Sequence, residues 1–124
     1  MNIIISNISK DPIYEQITKQ IKDNIIKGII SEGELLPSIR NLARELKISV
    51  ITTKRAYEEL EREGFIETVP GKGSYVSVQN KELLKEKKMK SIEDKLMEAI
   101  EDSKIIGLTK KELKEMLDIL YDNM

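Results

Sequence analysis

The sequence predicts a mostly α-helical chain with one small β-hairpin, on three observations. Apolar residues recur at helical spacing over much of the length, beginning with Ile13, Ile17, Ile21 and Ile25. Two short β-branched runs, FIETV (65–69) and SYVSV (74–78), enclose the turn PGKG (70–73). Charged residues make up 35% of the chain and aromatics only 4%, so isoleucine and leucine must build the core.

The first helix is expected over residues 11–27. Asp11 can cap it, and Pro12 fits the first helical position, where a missing N–H costs nothing. Tyr14 joins the isoleucine face, and Gly28 supplies the stop. Upstream, Ile3–Ile5 reads as a short edge strand. ISEGELLP (30–37) is a connector punctuated by Gly and Pro. Ser38 then caps a short second helix reaching about Leu46, with Ile39, Leu42, Ala43 and Leu46 on one face.

After a brief turn, Ser49 caps a third helix from about Val50 to Glu63, which stops at Gly64. Thr53, Ala56, Tyr57 and Leu60 fall at i, i+3, i+4 and i+7 and form its buried stripe. The opposite side presents Ile51, Arg55, Glu58 and Arg62, flanked by Thr52 and Lys54. This helix opens on its poorest formers, the hydroxylic and β-branched residues 49–53. Its adjacent cations Lys54 and Arg55 follow at once.

Charge is sorted along the chain although the total is only −1. Between Ser38 and Tyr57, Arg40, Arg44, Lys47, Lys54 and Arg55 are opposed only by Glu45. Directly afterwards Glu58, Glu59, Glu61 and Glu63 face only Arg62. Such local sorting matters more than the sum.

Past about Gln79 the composition changes. KELLKEKKMK (81–90) reads as a charge-dense joint, and its second part KEKKMK (85–90) as a solvated helix face and not a DNA-binding tail. Helical periodicity resumes with Met89, Ile92, Leu96, Ala99 and Ser103, with Leu84, Met97 and Ile100 adjacent. The pattern breaks at Gly107. Thr109 to Glu112 is a capping box opening a last helix that carries Leu113, Met116, Leu117, Leu120 and Tyr121. The expected division is therefore residues 1–79 and residues 80–124.

Several functions are disfavoured. Without Cys or His, disulfides, thiolate or imidazole metal sites, a Cys nucleophile and a His base are all excluded. Only an all-carboxylate site could hold a metal. With no phosphate loop either, an enzyme is not expected and no cofactor is called for. No apolar run approaches the ~18 residues of a membrane span, and MNIIIS lacks the basic start of a signal peptide. No membrane partner is expected, and the expected address is the cytoplasm.

Three helices, a tight turn between the second and third, and a following hairpin make a winged helix-turn-helix. In that arrangement the N-terminal end of the third helix enters the major groove of double-stranded DNA. The weak start of this helix then makes sense. Small side chains let it approach base edges, and the positive end of its dipole favours a phosphate, to which Ser49 can also offer its hydroxyl. Lys54 and Arg55 can neutralise backbone charge or read guanine, while Val50 and Ile51 can contact thymine methyls.

The stretch LLPSIRNLARELKISVITTKRAYEELEREGFIETVPGKGSYV (35–76) resembles the DNA-binding domain of GntR-family bacterial transcription regulators, and PIYEQI (12–17) is similar to that family's first-helix opening. The likeness covers roughly residues 10–78. The short helical tail is most similar to the YtrA-like subfamily, whose two-helix C-terminal region serves dimerisation. The resemblance implies DNA contacts from Arg40 in the second helix, from Ser49, Thr52 and Lys54 in the third, and from Gly71, Lys72 and Gly73 at the wing tip. Ser38, Val50, Ile51 and Arg55 complete the candidate set. Val50 departs from the family pattern, which often has a polar or basic base-reading residue there, so no relative's operator can be carried over.

The fold expectation is thus a winged helix-turn-helix followed by a two-helix C-terminal dimerisation region. Ile92, Leu96, Ile100, Leu113, Leu117 and Leu120 are the candidate dimer contacts, since two short helices cannot hide both apolar stripes by themselves. They also rarely enclose the ~300 Å³ of a typical ligand pocket, so a small-molecule effector is not expected. The functional expectation is a dimeric, sequence-specific repressor of an operon, which the resemblance links to an adjacent transporter. The alternative is a winged-helix module that binds another protein through its helical tail.

Overall fold

The computed structural model describes residues 1–124. Its elements are α1 (Ile13–Ile26), α2 (Ile39–Leu46), α3 (Val50–Arg62), β1 (Ile66–Val69), β2 (Gly73–Val76), α4 (Lys81–Ile105) and α5 (Lys110–Asp122). They form two compact units, Met1–Lys81 and Glu82–Met124.

In the first unit, Ile17, Ile21 and Ile25 of α1 meet Leu42 of α2 and Ala56, Tyr57 and Leu60 of α3 in one apolar core. Thr53 lies in the buried stripe of α3 as expected, and its hydroxyl donates to the Ser49 carbonyl at 3.1 Å. Tyr57 donates its phenol hydrogen to the Pro37 carbonyl at 2.6 Å, tying α3 to the start of α2. Every buried side-chain polar atom has a partner, as a stable interior requires.

Strands β1 and β2 pair antiparallel, with Ile66 opposite Val76 and Val69 opposite Gly73. Ile66 and Val76 turn into the core, while Glu67 and Thr68 are exposed. The connector is more ordered than its turn residues suggest. Gly33 donates to Val76 at 2.8 Å, Val76 to Glu34 at 2.9 Å, and Leu36 to Ser74 at 2.9 Å. Residues 33–36 thus cover the outer edge of β2.

Two expectations at the N-terminus are corrected. Ile3–Ile5 is not a strand, because no strand lies beside it. Glutamine amides of α1 satisfy it instead. Gln20 accepts from the Ile4 N–H at 2.9 Å and donates to the Ile4 carbonyl at 2.7 Å, and Gln16 accepts from the Ser6 N–H at 2.8 Å. Nor does Asp11 cap α1. Pro12 holds the cap position, its carbonyl taking the first helical bond from Gln16 at 3.1 Å. The Asp11 carboxylate pairs instead with Lys19 at 2.8 Å.

Helices α1, α2, α3 and α4 share one type of ending. A residue two or three past the helix sends its N–H back five residues: Ile29 to Asn24, Ile48 to Ala43, Phe65 to Leu60 and Leu108 to Ser103. This closure needs a left-handed residue, supplied by Gly28, Gly64 and Gly107 in three cases and by Lys47, at φ 57°, in α2. A side chain in that conformation costs about 1–2 kcal/mol.

In the second unit, the segment 81–90 is not a joint. It is the first part of a continuous 25-residue helix, α4, because it contains no Gly or Pro and consists of good helix formers. Gly107 ends that helix, and the capping box forms as expected. Thr109 accepts from the Glu112 N–H at 3.2 Å, and Glu112 accepts from the Thr109 N–H at 3.1 Å.

Candidate nucleic-acid interface

The site starts from the capping of two short helices. The Ser38 hydroxyl accepts from the Asn41 N–H at 3.1 Å, and that of Ser49 from the Thr52 N–H at 3.1 Å. Each cap satisfies an otherwise unpaired N–H and fixes where the helix begins. Ser49 also donates to the Thr52 hydroxyl at 2.8 Å. Its hydrogen is therefore engaged within the helix.

Beyond the cap, the first turn of α3 stands clear of the protein. Val50 is 48% exposed and Ile51 81% exposed. Lys54 is exposed and loosely paired with Glu58 at 3.7 Å. Such a surface pair is worth little and is easily exchanged for a phosphate or a base. Arg55 is placed differently. Its guanidinium lies 3.8 Å from the centre of the Tyr14 ring and so rests on α1. Farther along, Arg62 and Glu59 are hydrogen-bonded to each other, and this pairing holds the Glu59 carboxyl below its ordinary range.

Arg40 is exposed on α2. It shares an open cleft of about 540 Å³ with Ala43, Arg44, Lys47, Ile48 and Val50. Arg44 and Lys47 were absent from the candidate set. The signal for Arg44 was its spacing of four from Arg40, which puts both on one side of α2, and Lys47 joins them from the helix end.

At the wing, Gly71 and Lys72 are exposed at the tip, and Lys72 closes the turn through its N–H to Val69 at 3.0 Å. Gly73 is part-buried at φ 123°, and a Cβ there would meet Leu35 Cδ1 at 3.0 Å. Gly73 thus has a packing role besides its place at the tip.

In the second unit the candidate contacts Ile92, Leu96, Ile100, Leu117 and Leu120 are all exposed, and Leu113 is part-buried. There is no grouping of acidic residues suited to a metal. No helix is long and apolar enough to cross a membrane.

A capped, exposed and cationic helix start, followed by a glycine-tipped hairpin, defines a winged-helix DNA-binding transcription regulator. Residues 13–76 match the family of bacterial regulatory proteins designated gntR, and the chain belongs to that family. It is 43% identical over 109 residues to the HTH-type transcriptional repressor YtrA of Bacillus subtilis (strain 168), covering 88% of this chain and 84% of that protein. A transcriptional antiterminator from Listeria monocytogenes EGD-e superposes with a TM-score of 0.74 at 36% identity, over 98% of this chain and 90% of the other. The AraR DNA-binding domain in complex with an operator superposes with a TM-score of 0.54 at 25% identity, over 60% and 94% of the two chains.

Proposed function

We propose that this protein is a homodimeric repressor that binds an operator through the N-terminal turn of α3 and blocks transcription of an operon. The observation that carries the reading is the exposed start of α3. Val50, Ile51 and Lys54 stand exposed, with Thr52 part-exposed, on a helix whose other stripe is buried, and positive charge gives way to glutamates one turn later. Operator-bound AraR and the repressor YtrA support DNA as the partner and repression as the outcome. In this reading Arg40 and Lys72 hold phosphates, Gly71 lets the wing backbone approach the duplex, and Lys54 reads a base.

The second unit supplies the second copy. Leu96, Ile100, Leu117 and Leu120 are each at least 44% exposed in the single chain. A fully buried side chain of this size is worth about 1.5–3 kcal/mol, so pairing two copies through these faces is strongly favoured. Dimerisation also presents two α3 helices to a two-fold site. No enzymatic step, cofactor or small-molecule effector is needed, and the protein works in the cytoplasm beside the genome. An adjacent transporter operon is the proposed target.

Selection of bound fragments from genomic DNA by the purified protein tests the function. Enrichment of a palindromic site upstream of an operon, with repression of a reporter, is expected. Binding that is insensitive to salt and indifferent to sequence would instead favour a protein-interaction module.

A further inference from the structure

Of the four helix endings that share one left-handed closure, three use glycine and α2 uses Lys47. Every glycine of the chain has positive φ, and Lys47 is the one other residue that does. Glycine would remove the conformational cost at this position, so what lysine adds over glycine here is its side chain. Arg40 and Arg44 stand four residues apart on α2, where like charges repel one another, and Lys47 follows at the helix end. None of the three takes part in the protein's salt bridges. Together they line the open cleft that ends at Val50, the first residue of α3.

We infer that this cleft is a track for the sugar–phosphate backbone of one DNA strand, gripped by Arg44 and Lys47 as well as Arg40. The inference rests on the DNA-binding reading above. Arg40 to the end of α2 at Leu46 is about 9 Å of helix, with Lys47 just beyond it, and that length suits an extended polyanion better than a single oxyanion. The cleft is open, as a strand passing through requires. Its rim at Val50 puts a bound strand beside the helix end that meets the bases. These contacts neutralise charge and carry no sequence information, so they act on every site alike.

The test compares Lys47→Gly, Lys47→Arg and Arg44→Ala in the full chain, on strong and weak genomic fragments over a range of salt, alongside thermal melting. Lys47→Gly is expected to melt no lower than the unaltered protein. It should nonetheless bind every fragment more weakly, with the slope of log affinity against log salt shallower by about 0.9. Arg44→Ala should lose a similar slope, and Lys47→Arg should keep it. A Lys47→Gly protein with unaltered affinity and slope overturns the track while leaving the DNA reading intact. A change of preference at one base position also overturns it, because the residue would then read sequence. Absence of salt-dependent binding by the unaltered protein overturns both. Inorganic tripolyphosphate is the second probe. If it protects the unaltered protein from melting but not Lys47→Gly, and the DNA slope stays the same, the cleft serves a free polyphosphate and the strand track is wrong.

Discussion

The guanidinium of Arg55 rests 3.8 Å from the centre of the Tyr14 ring, joining α3 to α1 by a cation–π contact. The neighbouring Lys54 has no such anchor beyond a long surface pair. Two adjacent cations that look equivalent in sequence therefore differ in what they can do.

Arg55→Ala should weaken DNA binding on all sites alike, by loosening how α3 sits on α1. Lys54→Ala should relax preference at one position of each half-site, at about 1–3 kcal/mol. Competition among operator variants at fixed salt separates the two. An unfolding double-mutant cycle of Arg55→Ala with Tyr14→Leu should give a coupling of ~0.5–1 kcal/mol. Zero coupling, with preference lost in Arg55→Ala, would mean that Arg55 leaves the ring to read a base.

At the wing, Gly73→Ala combines an unfavourable φ of 123° with a 3.0 Å approach to Leu35 Cδ1. It should lower stability by ~1–3 kcal/mol in urea unfolding. Lys72→Ala, at the exposed tip, should leave stability unchanged and make the salt slope of DNA binding shallower by about 0.9. Equal effects of the two substitutions on stability would show that the wing is not held through Leu35.

Burial, with the nearby charge of Glu45, raises the pKa of the Tyr57 phenol above its ordinary value of 10. The folded protein then keeps a proton that the unfolded chain loses above pH 10. Stability should be level through the neutral range and fall as pH rises beyond 10, by up to about 1.4 kcal/mol per pH unit. Tyr57→Phe should cost ~1 kcal/mol at neutral pH, through loss of the bond to Pro37, and should flatten that alkaline fall. Unfolding curves at pH 7 to 11 would reveal either outcome.

Leu96→Glu and Leu117→Glu should each shift sedimentation from dimer to monomer at micromolar concentration and sharply weaken binding to a two-fold operator. The fold of Met1–Lys81 should persist, since neither residue belongs to its core. A dimer that survives both substitutions would place the interface elsewhere.

Much of the first unit was legible because period and punctuation agreed. The stripe Thr53–Ala56–Tyr57–Leu60, the caps Ser38 and Ser49, and the hairpin around PGKG all formed as expected. Other features depended on partners distant in sequence. Nothing local distinguishes Ile3–Ile5 paired with a strand from Ile3–Ile5 paired with glutamine amides. The stacking of Arg55 on Tyr14 and the packing of Gly73 against Leu35 likewise join residues that helical or strand periods do not connect. Within the segment 81–90, the helix face expected at 85–90 formed, but the joint did not, for a different reason. Its dense charge obscured a composition that favours helix throughout.

The glutamine amides that clasp the N-terminal segment have a spectroscopic consequence. The Ile4 and Ser6 N–H groups are each bonded to a side-chain oxygen of α1. Alternate amides along this segment should therefore exchange slowly with solvent deuterium, the two-residue rhythm of a strand edge, where no sheet exists. Gln20→Ala should release Ile4 and leave Ser6 slow.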